Sequence, residues 1–123
     1  MKIMVVDDEV DVALLFRQEF KRELRSGALD FEFVTSGEAA LEYLKTLGGA
    51  DVVLILSDIN MPGMTGLELL RRIKESFPTL KAFMIAAYGD EEKYRTALAY
   101  GADEYLSKPI DFQALKGKIL SVR

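Results

Sequence analysis

Two segments of this 123-residue chain are apolar along their whole length and end in carboxylates. Met4-Val5-Val6 runs into Asp7-Asp8, and Val52-Val53-Leu54-Ile55-Leu56-Ser57 runs into Asp58. A strand with no polar alternation has no face to offer water, so it belongs in a parallel sheet covered by helices on both sides. In an open sheet of that kind, ligands gather outside the carboxyl ends of the strands. The three aspartates stand where such a site would form.

The periodicity of the remaining sequence supplies the covering helices. Ile3 to Val6 reads as the first strand, and Val12, Leu15, Phe16, Phe20 and Leu24 then fall at helical spacing. Phe31 to Thr35 alternates as a strand nearer an edge does. Ser36 is placed to cap a second helix carrying Ala40, Leu41, Leu44 and Leu47, with Gly48-Gly49 as its end. After the third strand, Val52 to Ser57, Met61-Pro62-Gly63-Met64 makes a turn. Thr65-Gly66-Leu67-Glu68 is then a capping-box pattern ahead of Leu70, Ile73 and Phe77, with Pro78 as the stop. Lys81 to Ala86 is the fourth strand, Asp90 caps a helix through Tyr94, Ala97 and Leu98, and Gly101 sits where a helix end takes a left-handed residue. Glu104 to Ser107 is the fifth strand, and Asp111 caps a last helix through Leu115 and Ile119. Five strands alternating with five helices predict an α/β fold, a doubly wound parallel sheet with right-handed crossovers, as one domain over residues 1–123.

Composition excludes much chemistry. With no cysteine there is no disulfide or thiolate site, and with no histidine there is no Ser-His-Asp triad, histidine-held metal or phosphohistidine on this chain. The metal donors that remain are oxygens, which suit Mg²⁺, Ca²⁺ or Mn²⁺. The net charge of −4 argues against direct nucleic-acid binding. Lys21, Arg22 and Arg25, interleaved with Glu19 and Glu23, read as a solvated helix face. At 50% hydrophobic the chain is too apolar for disorder. No apolar run approaches the roughly 18 residues of a membrane span. Met1-Lys2 leads into a strand and not a signal peptide, so the expected location is the cytoplasm, with no membrane contact.

Alternating units bring Asp7, Asp8, Asp58, Ala86 and Lys108 to one edge. Carboxylates gathered there repel unless a proton or metal compensates, and a divalent cation is the simplest compensation. Mg²⁺ takes one or two carboxylates plus phosphate oxygens and keeps waters. With a lysine beside it, such a site suits an incoming phosphoryl group, and an aspartate can itself be the nucleophile. Taken singly, these residues have plainer explanations. Asp7 or Asp8 can cap the following helix, Lys108 can be a solvated lysine, and Pro109 can start a helix.

Three segments in order resemble the receiver domain of two-component response regulators over essentially the full chain. They are Val5-Val6-Asp7-Asp8-Glu9, then Ser57-Asp58-Ile59-Asn60-Met61-Pro62-Gly63-Met64-Thr65-Gly66, then Tyr105-Leu106-Ser107-Lys108-Pro109. The resemblance implies a flavodoxin-like sheet of order 2-1-3-4-5, with the acidic residues at the switch point. It makes Asp58 the phosphoacceptor. Asp8 and Asp58 would offer carboxylate oxygens to Mg²⁺, Asn60 its backbone carbonyl, and Asp7 would act through coordinated water. Lys108 would contact a phosphoryl oxygen and Asp58, across a cis bond to Pro109. The implied partners are a sensor histidine kinase or phosphotransfer protein, and a downstream target or attached output domain meeting the face of the fourth helix, fifth strand and fifth helix.

One position departs from the pattern. Where the family usually carries Thr or Ser after the fourth strand, this chain has Ala86. In the family that hydroxyl moves toward the phosphoryl group and the aromatic of the fifth strand, here Tyr105, turns inward behind it. Ala86 cannot donate that hydrogen bond, so weakened coupling between phosphorylation and conformation is expected. Two other functions compete. An aspartate-nucleophile phosphatase of the haloacid dehalogenase type needs a second Asp as general acid where Asn60 stands, and an amide cannot protonate a leaving group. Turnover of external phosphoesters is therefore not expected. A receiver-like interaction module that does not switch would fit Ala86.

Overall fold

A computed structural model describes residues 1–122. Five parallel strands form one sheet in the order β2-β1-β3-β4-β5. They are β1 (Lys2–Val6), β2 (Asp30–Val34), β3 (Val52–Asp58), β4 (Lys81–Ala86) and β5 (Glu104–Ser107). Among the described residues six α-helices flank them, the last following β5: α1 (Asp11–Glu19), α2 (Lys21–Ser26), α3 (Gly37–Leu44), α4 (Gly66–Ser76), α5 (Glu91–Ala99) and α6 (Phe112–Leu120). No helix among the described residues is long and apolar enough to cross a membrane.

The apolar runs are buried on both faces because their side chains alternate between two cores. Met4, Val6, Ile55, Met84 and Ala86 face α3, α4 and α5 through Ala40, Leu69, Leu70, Ile73 and Ala97. Ile3, Val5, Leu54, Leu56, Phe83 and Ile85 face the other layer through Phe16, Phe20, Leu115 and Ile119. That second core is aromatic. Phe16 and Phe20 each meet Phe31 edge-on, at 5.7 and 5.3 Å between ring centroids. They also meet Phe112 edge-on, at 5.4 and 6.1 Å.

Four helices start on side-chain caps at the predicted residues. Ser36 Oγ accepts from Ala39 N–H (3.0 Å), Thr65 Oγ1 from Glu68 N–H (3.3 Å), and Asp90 Oδ1 from Lys93 N–H (3.2 Å). Asp111 Oδ1 accepts from the N–H groups of Gln113 (3.1 Å) and Ala114 (3.2 Å). Only half of the predicted capping box forms. The Glu68 carboxylate points forward to Arg71 and Arg72, and those two guanidinium groups hold its pKa down at about 2.

Two helix boundaries differ from the periodicity. The first predicted helix is divided at Phe20, which leaves helical dihedrals (φ −107, ψ 22) while its N–H still bonds to Phe16 O and its carbonyl to Leu24 N–H, both at 2.9 Å. The Phe20 ring is fully buried in the aromatic core, so packing fixes the bend that spacing alone does not show. The helix predicted to run through Leu47 stops at Leu44, and Leu47 is 93% exposed. There Thr46 Oγ1 donates to Tyr43 O at 2.6 Å and accepts from Gly49 N–H at 3.2 Å, a side-chain capture of backbone groups that competes with helix continuation. Because the first helix is divided, the predicted signalling face corresponds to α5, β5 and α6.

Far from the carboxyl edge, Asp103 joins the start of β4 to α4. Its Oδ2 accepts from Ala82 N–H and from Lys74 Nζ, each at 2.9 Å. Partial burial works to raise the Asp103 carboxyl pKa, but the Ala82 N–H and the Lys74 and Lys81 ammonium groups outweigh it and hold the pKa below its ordinary value. A depressed folded pKa gives stability that is present above the unfolded carboxyl value and is lost as pH falls through the folded one. Asp103→Asn is expected to cost about 1 to 3 kcal/mol at neutral pH, as hydrogen bonds to a charged group do. In urea unfolding the difference from the parent chain should shrink in acid; a difference independent of pH contradicts the assignment.

Candidate functional site at the carboxyl edge of the sheet

The switch point of the sheet lies between β1 and β3, where the chain leaves in opposite directions and a crevice opens. β1 delivers Asp7 and Asp8 to it, β3 delivers Asp58, and the segment after β5 delivers Lys108. One carboxylate oxygen from each of Asp7, Asp8 and Asp58 lies within 4.8 Å of the others. Asp7 and Asp58 are 8% and 3% exposed, whereas Asp8 opens to solvent.

Backbone contacts hold each group. Asp7 N–H donates to Val34 O (3.1 Å) and its Oδ1 accepts from Glu9 N–H (2.9 Å), so this carboxylate closes a turn and caps no helix. The N-terminus of α1 is at Val10 and has no side-chain cap, which removes the plain capping role considered for Asp7 and Asp8. Asp58 Oδ1 faces Asn60 N–H at 3.4 Å, and its Oδ2 lies 3.5 Å from Lys108 Nζ. Lys108 N–H donates to Ala86 O at 2.8 Å, and its peptide bond to Pro109 is cis. The loop after β3 is fastened at both ends. Ile59 N–H donates to Ile85 O and Gly66 N–H donates to Ile59 O, each at 2.9 Å.

Burial raises the Asp7 carboxyl pKa, and the Asp58 charge adds to that, while the Glu9 N–H and Lys108 oppose it. The protein thus gathers anionic groups at a place where their charges resist one another. Three oxygen donors, two of them nearly removed from water, with the Lys108 ammonium 3.5 Å from Asp58, fit a hard divalent cation that takes carboxylate oxygens and keeps some waters.

Asp7, Asp8, Asp58 and Lys108 therefore come together as expected, and the Asn60 backbone lies beside them. Ala86 ends β4 one residue beyond Ile85, the register partner of Asp58, and is fully buried. Tyr105 is half-buried and packs edge-on against Tyr94 at 5.1 Å. Its ring lies against the core that contains Ala86, and its hydroxyl is buried with no hydrogen-bond partner among the described residues. Burial raises the Tyr105 pKa, and the charges of Asp90 and Glu91 add to it.

Sequence reasoning missed Lys93. It reads as part of a solvated helix face, yet its Nζ donates to Asn60 Oδ1 and pairs with Asp90 Oδ2 at 3.4 Å. The usable signal was position: a residue in the first turn of the helix after β4 must lie near the carboxyl edge. The close approach at Gly66 was also missed. A Cβ there would lie 2.1 Å from Asp58 O.

A 2-1-3-4-5 parallel sheet with an acidic crevice at its switch point is the architecture of the flavodoxin-like α/β class. A profile of the response regulator receiver domain matches residues 3–120, and the chain belongs to that family. It is 38% identical over 114 residues to the response regulator protein FleR of Pseudomonas aeruginosa, covering 93% of this chain but only 23% of that one. It is 31% identical over 122 residues to the chemotaxis protein CheY1 of Helicobacter pylori, covering 97% of this chain and 94% of that one. Among solved structures, the response regulator TrrA of Thermotoga maritima in complex with Mg²⁺-BeF superposes with a TM-score of 0.79 at 30% identity, covering 99% of this chain and 98% of that one.

Proposed function

We propose that this domain accepts a phosphoryl group on Asp58 from the phosphohistidine of a sensor kinase or phosphotransfer protein, in the cytoplasm and with Mg²⁺. The observation that carries this is the convergence of three carboxylates with Lys108, Asp58 being the most buried of the three. An Asp58 oxygen attacks phosphorus, the P–N bond to the donor imidazole breaks, and the electron pair leaves with that ring. Lys108 neutralises charge on a phosphoryl oxygen as it spreads in the transition state. Asp8 and Asp58 would hold Mg²⁺ through carboxylate oxygens and Asn60 through its carbonyl, with Asp7 acting through water. Bound there, the dication supplies charge neutralisation for the transferred group.

Around the crevice, Val10 just before α1, Leu15 on α1 and Tyr88 after β4 are exposed, an apolar rim suited to a donor protein. The face of α5, β5 and α6 then meets a downstream target or an attached output domain. Asn60, which cannot act as an acid, supports a phosphoacceptor over an enzyme with external substrates. A second reading, a module that binds partners without switching, is favoured by one pair of observations. Ala86 brings no hydroxyl, and the Tyr105 hydroxyl is already buried.

The test is the intact mass after incubation with phosphoramidate or acetyl phosphate. One added phosphoryl group is expected with Mg²⁺, none with a chelator, and none in Asp58→Asn. An unchanged mass in the parent chain contradicts the phosphoacceptor role and leaves the binding module.

A further inference from the structure

Lys93 is placed unlike an ordinary surface lysine. It lies in the first turn of α5, and its N–H is held by Asp90 Oδ1 at 3.2 Å. Its side chain turns back toward the edge of the sheet, where Nζ sits 3.4 Å from Asp90 Oδ2 and donates to Asn60 Oδ1. Asn60 follows Asp58 by two residues, and its own N–H faces Asp58 Oδ1 at 3.4 Å. A chain of contacts therefore runs from Asp58 through Asn60 and Lys93 to the N-terminus of α5, passing over Ala86 without using it.

We propose that Lys93 is the residue through which α5 senses the charge on Asp58, taking the part that a hydroxyl at position 86 would have played. This role rests on Asp58 being the phosphoacceptor. A phosphoryl group brings a charge of about −1.5 to −2 and three strong acceptor oxygens. Lys108 meets that charge from the β5 side. Lys93 meets it from the α5 side, with an ammonium on a long four-carbon stem whose side chain is 36% exposed. When Lys93 exchanges Asn60 Oδ1 and Asp90 Oδ2 for phosphoryl oxygens, the Asp90 cap loses its countercharge. The first turn of α5 shifts toward the crevice. Tyr94, the next residue on that helix, stacks edge-on with Tyr105, so the movement reaches β5.

The experiment compares the parent chain with Lys93→Met and Lys93→Arg in Mg²⁺ and excess phosphoramidate, reading intact mass and amide NMR shifts from the same samples. All three are expected to gain one phosphoryl group. The parent and Lys93→Arg should show phosphate-dependent shifts across Glu91 to Ala99. In Lys93→Met those shifts should be lost while shifts around Asp58 and Lys108 persist. Full α5 shifts in phosphorylated Lys93→Met overturn the proposal, as does a phosphorylated parent chain whose α5 amides do not move. Samples that gain no mass overturn the phosphoacceptor reading itself and this role with it. Spectra without phosphoramidate show whether each variant keeps the fold.

Discussion

Gly66→Ala is expected to destabilise the domain by about 3 kcal/mol or more, the upper range for overpacking against atoms that cannot yield. A Cβ at residue 66 would lie 2.1 Å from Asp58 O, 2.6 Å from Ile59 Cα and 2.8 Å from Asp58 C. All three are backbone atoms at the end of the central strand. They are fixed by the bonds from Ile59 N–H to Ile85 O and from Gly66 N–H to Ile59 O, each at 2.9 Å. Relief requires moving either the start of α4 or the peptide that carries Asp58. The damage is therefore structural and functional together: a lower urea midpoint, and slower phosphoryl uptake in whatever fraction remains folded. Gly117→Ala is the matched control, because nothing lies within 4 Å of a Cβ there and the residue is inside α6. It should stabilise by about 0.5 to 1 kcal/mol, the ordinary gain from alanine in a helix. Equal midpoints for the two variants would contradict the close approach.

Ala86→Thr is expected to enlarge the response to phosphorylation without changing its stoichiometry. A hydrogen bond to a charged group contributes about 1.5 to 3 kcal/mol, which corresponds to roughly 10- to 100-fold in the ratio of active to inactive populations. Ala86 is fully buried at the end of β4, opposite Ser107 in the register, so the added hydroxyl enters at the sheet edge that carries Asp58. Threonine also suits a strand position. Phosphate-dependent amide shifts in α5, β5 and α6 should be larger in Ala86→Thr than in the parent chain, with equal added mass in both. Shifts no larger than the parent's would mean that position 86 does not limit the switch. The two routes are separable. Threonine at 86 adds a donor from the end of β4, while Lys93 reaches the phosphoryl group from α5, so removing Lys93 in the threonine variant should leave part of the response.

The fold was legible because apolar runs buried on both faces leave few alternatives. Met4 to Val6 and Val52 to Ser57 demand covering helices, and Ser36, Thr65, Asp90 and Asp111 announce where those helices begin. What escaped was decided by contacts distant in sequence. Nothing local marks the bend at Phe20, whose ring is held by Phe31 and Phe112. The helix end at Leu44 depended on Thr46 competing for backbone groups, while the apolar Leu47 pointed the other way. At the site, Asp7, Asp8, Asp58 and Lys108 were legible because strand ends share one edge in such a sheet. Lys93 was not, because its contact with Asn60 spans two loops and its neighbours Glu91, Glu92 and Arg95 have the composition of a solvated face. The placement of Tyr105 was also beyond the sequence, since a strand aromatic can point inward or outward until its neighbours are known.

The most direct measurement concerns where the phosphoryl group goes. An acyl phosphate is reduced by borohydride to the corresponding alcohol, so a phosphoaspartate becomes homoserine, whereas phosphoserine, phosphothreonine and free carboxylates do not. The chain is incubated with Mg²⁺ and acetyl phosphate, reduced, digested and sequenced by mass spectrometry. The expected result is homoserine at position 58 alone, dependent on Mg²⁺. Homoserine at Asp7 or Asp8, or none at any position in a chain that has gained phosphoryl mass, would contradict Asp58 as the acceptor.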